Sequence, residues 1–309
     1  MKTLVKTNGM AREDWLKWRR MGIGGSDVSV IAGVNKYRSV FQLWLEKTGQ
    51  KEPQETDSEY THFGTILEPV VKQEFTRRTG LKVRSRRAIL QSSEHLFMLA
   101  DLDGVIYENG KMCIFEAKTA SAYKQEVWEE GVPPEYLYQI QHYMAVTGAE
   151  KTYIAALVGG NHFLYHEIYR DGEMIDAIIR MEKEFWEGYV LAGKDPPADG
   201  SEATTKFLNE KYRESNGATV ELPQEVLPLC EKYDDITARL NELKEEKEAA
   251  ANQIKNYLGE NESGVVGNRK VSWKTVTTTA FDKKRLEAEQ GEIYRKYCVK
   301  NQYRRLSIA

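Results

Sequence analysis

Apolar and polar positions along this chain fall into two regimes. Up to about residue 195 the pattern switches repeatedly between a helical and a strand period, as a mixed α/β layer structure requires. The spacing predicts helices over 12–21 and 28–32, the second capped by Ser26 or Asp27. A helix follows over 65–79, with Ile66, Val70, Val71 and Phe75 on one side. Residues 96–107 and 111–118 read as strands joined by the turn signal Glu108-Asn109-Gly110. Helix returns over 135–147, strands over 151–158 and 163–169, and a long amphipathic helix over 173–192.

The run Asp195-Pro196-Pro197-Ala198-Asp199-Gly200-Ser201 breaks this pattern. Beyond it, apolar or tolerated positions recur at 229, 233, 236, 240, 243, 247, 250, 254 and 257, with Lys247 the one polar intruder. Alternating steps of four and three make a heptad seam of about four repeats. Oligomerisation, partner docking and intramolecular packing would each bury it, and packing within the chain is the expectation. A hairpin over 265–273 with a Gly267-Asn268 turn, a charged helix near 282–297 and a last strand over 303–308 complete the reading. Two domains are expected, 1–200 and 206–309.

Composition narrows the class. Of 309 residues 41% are apolar and 29% charged, with a mean hydropathy of −0.59, which suits a packed core and excludes long disorder. No apolar run is long enough to span a membrane, and Met1-Lys2-Thr3-Leu4-Val5-Lys6 lacks a secretory apolar segment, so a cytoplasmic protein is expected. Cys113, Cys230 and Cys298 are too few and too dispersed for a disulfide framework or an iron–sulfur cluster. The net charge of −3 is uneven, since residues 261–309 carry 11 basic and 5 acidic groups. A phosphate backbone needs only a local positive surface, so the overall sign does not exclude DNA.

The strongest chemical signal is Asp103-Gly104 followed, after a turn, by Glu116-Ala117-Lys118. Side chains two apart on a strand share a face, so Glu116 and Lys118 point the same way and a hairpin brings Asp103 beside them. Two carboxylates and a lysine form a hard-oxygen site suited to Mg²⁺ or Mn²⁺, able to polarise a phosphodiester and orient a water. Their strand is apolar around them, and charges there need a partner. Gln139 and Tyr143, four apart, share a helix face, and Glu68 is a further candidate oxygen ligand. Asp101 competes with Asp103, which is preferred because Gly104 leaves room for a backbone or a metal to approach.

Arg19-Arg20-Met21-Gly22-Ile23-Gly24-Gly25-Ser26-Asp27-Val28 resembles the opening motif of YqaJ-like viral recombinases, relatives of the phage lambda exonuclease. Gly64 with Leu67-Glu68-Pro69 is similar to their second motif, and Leu102-Asp103-Gly104 with Phe115-Glu116-Ala117-Lys118 to the third, the PD-(D/E)xK nuclease core. Leu102 stands where the nominal motif has proline. The run from Tyr138 to Gly148 resembles the fourth motif, including its QxxxY element, and the four together cover roughly residues 10–195. The resemblance implies an α/β restriction-endonuclease-like core, a mixed central sheet flanked by helices. It implies an Mg²⁺-dependent exodeoxyribonuclease resecting linear double-stranded DNA from the 5′ end, leaving a 3′ strand for a single-strand annealing protein. In that reading Asp103, Glu116 and the Ala117 carbonyl hold the metal, and Glu68 helps with a second ion. Lys118 positions the water and Gln139 steadies the site, while Arg19 and Ser26 hold the 5′-terminal phosphate, with Arg20 the alternative to Arg19. A homo-oligomeric ring, a trimer being the size in view, is also implied.

Lys36, Tyr37, Arg38 and Lys124 are further candidate DNA contacts, as is Tyr143. So is the basic stretch Arg77-Arg78, Lys82, Arg84 and Arg86-Arg87. Trp15, Trp18 and Trp44 are expected in the core, and His142 on a helix surface. A restriction-type endonuclease and a non-catalytic DNA-binding or assembly module built on the heptad arm are the competing readings. An intact Asp103/Glu116/Lys118 set argues against the second.

Overall fold

The computed structural model describes residues 1–51, 59–299 and 303–308. Two compact units divide the chain, Met1–Leu208 and Asn209–Ala309.

In the first unit, β1 (Lys2–Lys6) is followed by α1 (Arg12–Arg20), α2 (Gly25–Ile31), α3 (Val40–Lys47) and α4 (Glu59–Thr79). Strands β2 (Ala88–Gln91) and β3 (Leu99–Asp101) join β1 in an antiparallel sheet of order β1-β2-β3. The chain then crosses to a second sheet at Leu102 and Asp103. There β4 (Gly104–Glu108) and β5 (Lys111–Ala120) form a hairpin whose turn residues Asn109 and Gly110 both have positive φ, 50° and 78°. A crossover through α5 (Gln125–Glu130) and α6 (Pro134–Thr147) makes β6 (Lys151–Val158) parallel to β5, and β7 (His162–Tyr169) returns antiparallel. The order β4-β5-β6-β7 puts β5 inside a mixed sheet. Helices α7 (Gly172–Lys183), continued by a π-helical stretch over Glu184–Leu191, and α8 (Glu202–Lys211) follow, and the unit boundary falls within α8.

Local chemistry accounts for the boundaries. Pro134 opens α6, where an N–H would be unpaired anyway, and Gly148 closes it in the left-handed region. Ser39 and Gln42 form a capping box on α3, and Asp171 caps α7. On one side of the mixed sheet, Phe75 of α4 packs its ring 4.9 Å from Phe115 and 5.3 Å from Tyr153. On the other, Ile23, Val28, Met144 and Ile178 belong to a larger core in which α2, α6 and α7 meet.

The second unit contains α9 (Leu227–Leu258), the hairpin β8 (Ser263–Val266) and β9 (Arg269–Ser272), and α10 (Lys283–Glu289) and α11 (Gly291–Tyr297). Leu258 is buried there, its side chain 3.1 Å from where a Cβ on Gly264 would stand. No helix among the described residues is long and apolar enough to cross a membrane.

Several expectations change. The strand predicted over 96–107 is two strands in different sheets, because the chain leaves the first sheet after Asp101 and enters the second at Gly104. The cap of α2 is neither Ser26 nor Asp27: Gly24 is the N-cap, and its N–H donates to the Asp27 carboxylate at 3.0 Å. Val71 and Phe75 bury against the sheet, whereas Ile66 and Val70 lie on the next ridge and are about half exposed. The helix near 282–297 divides at Gln290, and no strand forms over 303–308. His142 is fully buried rather than on a surface, between the Glu182 carboxylate and the Leu99 carbonyl. Among the described residues of its own unit the heptad seam is not covered: Leu229, Leu240 and Leu243 are 64%, 51% and 58% exposed.

Candidate active site

Strand alternation builds the centre of the site. On β5, Phe115 points toward α4, while Glu116 and Lys118 point to the opposite face beneath Gln139 of α6. Strand β4 begins at Gly104, opposite Phe115, so the Ala117 N–H lies beyond the hairpin pairing and donates to Asp103 Oδ2 at 2.9 Å. The crossing between two sheets thereby fixes Asp103 against β5. The space at Gly104 is taken by backbone and side chain rather than by an open channel. A Cβ there would stand 2.5 Å from Val83 Cγ1 and 3.3 Å from the Arg84 carbonyl oxygen.

Glu116 is 2% exposed. Its Oε1 accepts from Lys118 Nζ and from Gln139 Nε2, both at 2.7 Å, while its Oε2 is buried with no hydrogen-bond partner. Lys118 also donates to Gln139 Oε1 at 3.0 Å and lies 4.7 Å from the Tyr136 ring centroid. Gln139 Nε2 lies 3.1 Å from the Tyr143 hydroxyl, to which it donates. Burial, reinforced by the neighbouring Glu116 carboxylate, pushes Asp103 up to about 8. Burial likewise raises Glu116, against the pull of Lys118. For Lys118 burial works downward, but the Glu116 and Asp103 carboxylates outweigh it and hold the ammonium above its usual range.

A second polar cluster adjoins the first. Arg19 donates to Ser26 Oγ at 2.8 Å, and its guanidinium lies 4.8 Å from the Trp15 ring centroid. Trp15 Nε1 in turn donates to Asp101 Oδ2 at 2.7 Å, a residue whose carboxyl is raised by burial. Beneath Ser26, Asp27 is 1% exposed and pairs with Lys47 at 2.7 Å and Arg38 at 2.9 Å. Burial alone would raise Asp27, yet Lys47, Arg38 and Arg19 hold it well below the usual carboxylate range. Gly25 lets this cluster reach the first one, since a Cβ there would stand 2.5 Å from Tyr143 Cε1 and 2.9 Å from Gln139 Cγ.

One cleft of about 790 Å³ is lined by Arg19, Ser26, Glu68, Asp103, Glu116, Ala117, Lys118, Gln139 and Tyr143. Asp101, Arg86 and Arg87 line it as well. Lys36, Arg38, Arg84 and Lys124, expected as DNA contacts, lie outside that lining. Arg38 is committed to Asp27 and Glu46, and Arg84 sits 5.5 Å from the Tyr107 ring centroid. Lys36 and Lys124 are exposed elsewhere. Tyr143 reaches the cleft but is 5% exposed, its ring against Gly25, so it shapes the floor rather than offering a surface contact. The basic stretch divides too: Arg77 and Arg78 pair with Glu74.

The donor set fits a divalent cation. A buried carboxylate oxygen without a partner and a neighbouring carboxyl raised by burial and by like charge both lose energy that a cation would return. No three His, Cys, Asp or Glu side chains among the described residues converge in a ready-made cage. Glu68 is paired with Lys72 instead of joining Asp103 and Glu116. The two carboxylates Asp103 and Glu116 leave positions open for water and phosphate, as suits a hard divalent cation that is not enclosed in an all-protein cage.

Residues 14–150 match the model of the YqaJ-like viral recombinase domain. The uncharacterized protein YqaJ of Bacillus subtilis (strain 168) is 41% identical over 309 residues, covering 99% of this chain and 96% of that protein. This chain belongs to the YqaJ family. Among solved structures it is similar to the alkaline exonuclease LHK-Exo of Laribacter hongkongensis. That enzyme alone and its dAMP complex match at TM-score 0.51, with 22% and 24% identity, over 59% of this chain and 93% of theirs. The architecture is therefore the PD-(D/E)xK-type exonuclease fold. The matched YqaJ-like segment runs from α1 through α6 and contains every residue from Arg19 to Tyr143 named above.

Within this YqaJ-family core, sequence reasoning missed Trp15 as a support for Arg19, because a tryptophan on an amphipathic helix reads as core. It also missed Lys47, whose ammonium is bonded to Asp27 and to the Arg19 and Gly22 carbonyls. A lysine near a helix end carries no signal of that kind. The run Gly24-Gly25 did carry one: adjacent glycines before a helix mark a close approach.

Proposed function

We propose that the protein is an Mg²⁺-dependent exodeoxyribonuclease that degrades the 5′-ended strand of linear duplex DNA and leaves a 3′ single strand for an annealing protein. The observation that carries this reading is the unpartnered, buried Oε2 of Glu116 beside Asp103, in the cleft that also holds Lys118. The cation, held by Asp103, Glu116 and the Ala117 carbonyl, would neutralise phosphate charge and acidify a water. Lys118, fixed by Glu116 and Gln139, orients that water against the phosphorus. Water adds its oxygen to phosphorus, the P–O3′ bond breaks, and the 3′ oxygen leaves with a proton. Gln139 holds Glu116 and Lys118 in one geometry. Glu68 is assigned a second ion, gained by exchanging Lys72 for it.

Arg19 and Ser26 are assigned the 5′-terminal phosphate, as a guanidinium and a hydroxyl at a helix start suit an anion. The reaction belongs to domain 1–200, with 206–309 as a separate accessory module, and copies assemble into a ring that keeps hold of the duplex. The solved complex of LHK-Exo with dAMP supports a nucleotide-binding use of the shared fold.

The test uses end-labelled linear duplexes with a 5′-phosphate or a 5′-hydroxyl and a closed circle, each with Mg²⁺, and wild type beside Glu116→Gln and Lys118→Ala. Loss of the 5′-phosphorylated strand from its end, absent in both variants and on circles, is the expected result. Cleavage of circles makes the protein an endonuclease. Binding without cleavage under Mg²⁺ or Mn²⁺ overturns the enzymatic reading.

A further inference from the structure

We infer that α9 pairs with α9 of a second copy of this chain, antiparallel, in the register that sets Leu240 against Leu243. This rests on the helix alone and stands or falls independently of the nuclease reading. Residues 229–257 span roughly 42 Å of helix at about 1.5 Å per residue. Along that length the seam repeats every seven residues and stays open to solvent among the described residues, with Leu229, Leu240 and Leu243 each more than half exposed. The opposite face carries its own ion pair, Glu248 with Lys255 at 3.0 Å, and needs no cover.

The spacing makes Tyr233, Leu240, Lys247 and Ile254 the a positions and Leu229, Ile236, Leu243, Ala250 and Tyr257 the d positions. The flanking g positions are Lys232, Arg239, Glu246 and Gln253, and the e positions include Thr237, Lys244 and Ala251. Flanking charges select partner and orientation. In a parallel pair each g faces the e five residues on in the other copy. Arg239 would then oppose Lys244 twice, and Lys247 would oppose its own copy in the core.

In an antiparallel pair g faces g and e faces e. With Leu240 against Leu243, Arg239 lies beside Glu246 of the second copy, twice by symmetry, and no like charges meet. Sliding the pair by one heptad in either direction sets Arg239 against Arg239 or Glu246 against Glu246. The same register puts Tyr233 opposite Ala250, a large residue on a small one, and Lys247 opposite Ile236 rather than another lysine. Charge and volume therefore choose one orientation and one register, and the chosen pairing is isologous, as a twofold dimer requires.

The test uses the full chain with Cys230→Ser and Cys298→Ser, which removes the thiols that are not buried. Tyr233→Cys and Ala250→Cys are added singly and together, oxidised with copper–phenanthroline and run on non-reducing gels. In the inferred register the two positions meet across copies but lie roughly 25 Å apart along one helix, at about 1.5 Å per residue. The double variant should form a covalent dimer and neither single variant should. Cross-linking of Tyr233→Cys alone means parallel pairing, and absence of cross-linking in all three means no pairing, either of which overturns the inference. Arg239→Glu, at an exposed position, should weaken self-association by about tenfold in light scattering, and Arg239→Glu with Glu246→Arg should restore it. An unchanged mass profile in Arg239→Glu also overturns it.

Discussion

Glu116 gives one carboxylate oxygen to Lys118 at 2.7 Å and keeps the other buried without a partner. The ion pair fixes the side chain, and the free oxygen is the half of it left for a ligand. Glu116→Gln keeps the shape but replaces a charge with an amide whose nitrogen must face either Lys118 or the vacant side. Cleavage should fall by at least about a thousandfold, as when a group acting on developing charge is removed, while duplex affinity changes little. Single-turnover rates and fluorescence anisotropy on one labelled duplex separate the two quantities.

Asp103 makes metal-free stability depend on pH. Its carboxyl holds a proton up to about 8 in the fold but only to the ordinary carboxylate range when unfolded. The folded state thus binds more protons between those values, and stability falls as pH rises through that window. Melting in EDTA should give a lower Tm at pH 9 than at pH 6, and Mg²⁺ should recover most of the loss. Asp103→Asn should flatten the slope, raise the metal-free Tm at pH 9 and abolish cleavage.

Arg19 lies over the Trp15 ring, 4.8 Å from its centroid, and is bonded to Ser26, so its guanidinium is oriented before any ligand arrives. Arg19→Ala should cost roughly tenfold to a hundredfold in kcat/KM on 5′-phosphorylated ends, the worth of a charge-assisted contact of about 1.5–3 kcal/mol. On 5′-hydroxyl ends the rate should barely change. Trp15→Leu should give a weaker version of the same selectivity loss, since it removes the support and not the contact. Competition between the two duplexes in one reaction measures the ratio directly.

Gly25 is one of the points where α2 touches α6, and its φ is not in the left-handed region, so space constrains it. Gly25→Ala sets a methyl 2.5 Å from Tyr143 Cε1 and should lower stability by about 1–3 kcal/mol, the usual cost of overpacking. Adding Tyr143→Leu should recover part of the loss, whereas Tyr143→Phe should not, because the ring and not the hydroxyl is in the way. Denaturant melts of the four proteins decide it.

How much of this the sequence shows depends on range. The hairpin at Asn109-Gly110, the strand 151–158 and the span of α6 follow from local turn chemistry and periodicity, and the spacing Glu116-Ala117-Lys118 puts both charges on one face without further information. The break at Leu102 and Asp103 does not follow, because the alternation Asp101-Leu102-Asp103 between two apolar runs looks the same whether it continues one strand or crosses between two sheets. Asp27 read as a helix cap, and its burial among Lys47 and Arg38 depends on segments that only the fold brings together. The open heptad seam misleads for the converse reason: periodicity says that a face must be covered and says nothing of by which chain.

His142 was the clearest case of a long-range partner, and it carries the last prediction. Its Nδ1 lies 2.7 Å from Glu182 Oε1 and its Nε2 2.8 Å from the Leu99 carbonyl, both fully buried. The Leu99 carbonyl can only accept, so Nε2 carries a proton; the raised value of His142 favours a second proton on Nδ1 and an imidazolium, while burial also raises the Glu182 carboxyl opposite it. Burial opposes that charge, but Glu182 outweighs it and raises His142 above its ordinary value. The pair ties α6, which bears Gln139, to α7 and to the β3 residue two before Asp101. Its stabilisation is complete below the unfolded histidine range and is lost as pH rises through the raised folded value. Glu182→Gln leaves a buried cation with a neutral partner and should cost about 3–5 kcal/mol. It should also pull the His142 titration downward, which the imidazole resonances report by NMR. If His142 titrates at or below its ordinary value in the wild type, the ring is neutral, and the assignment of both protons fails.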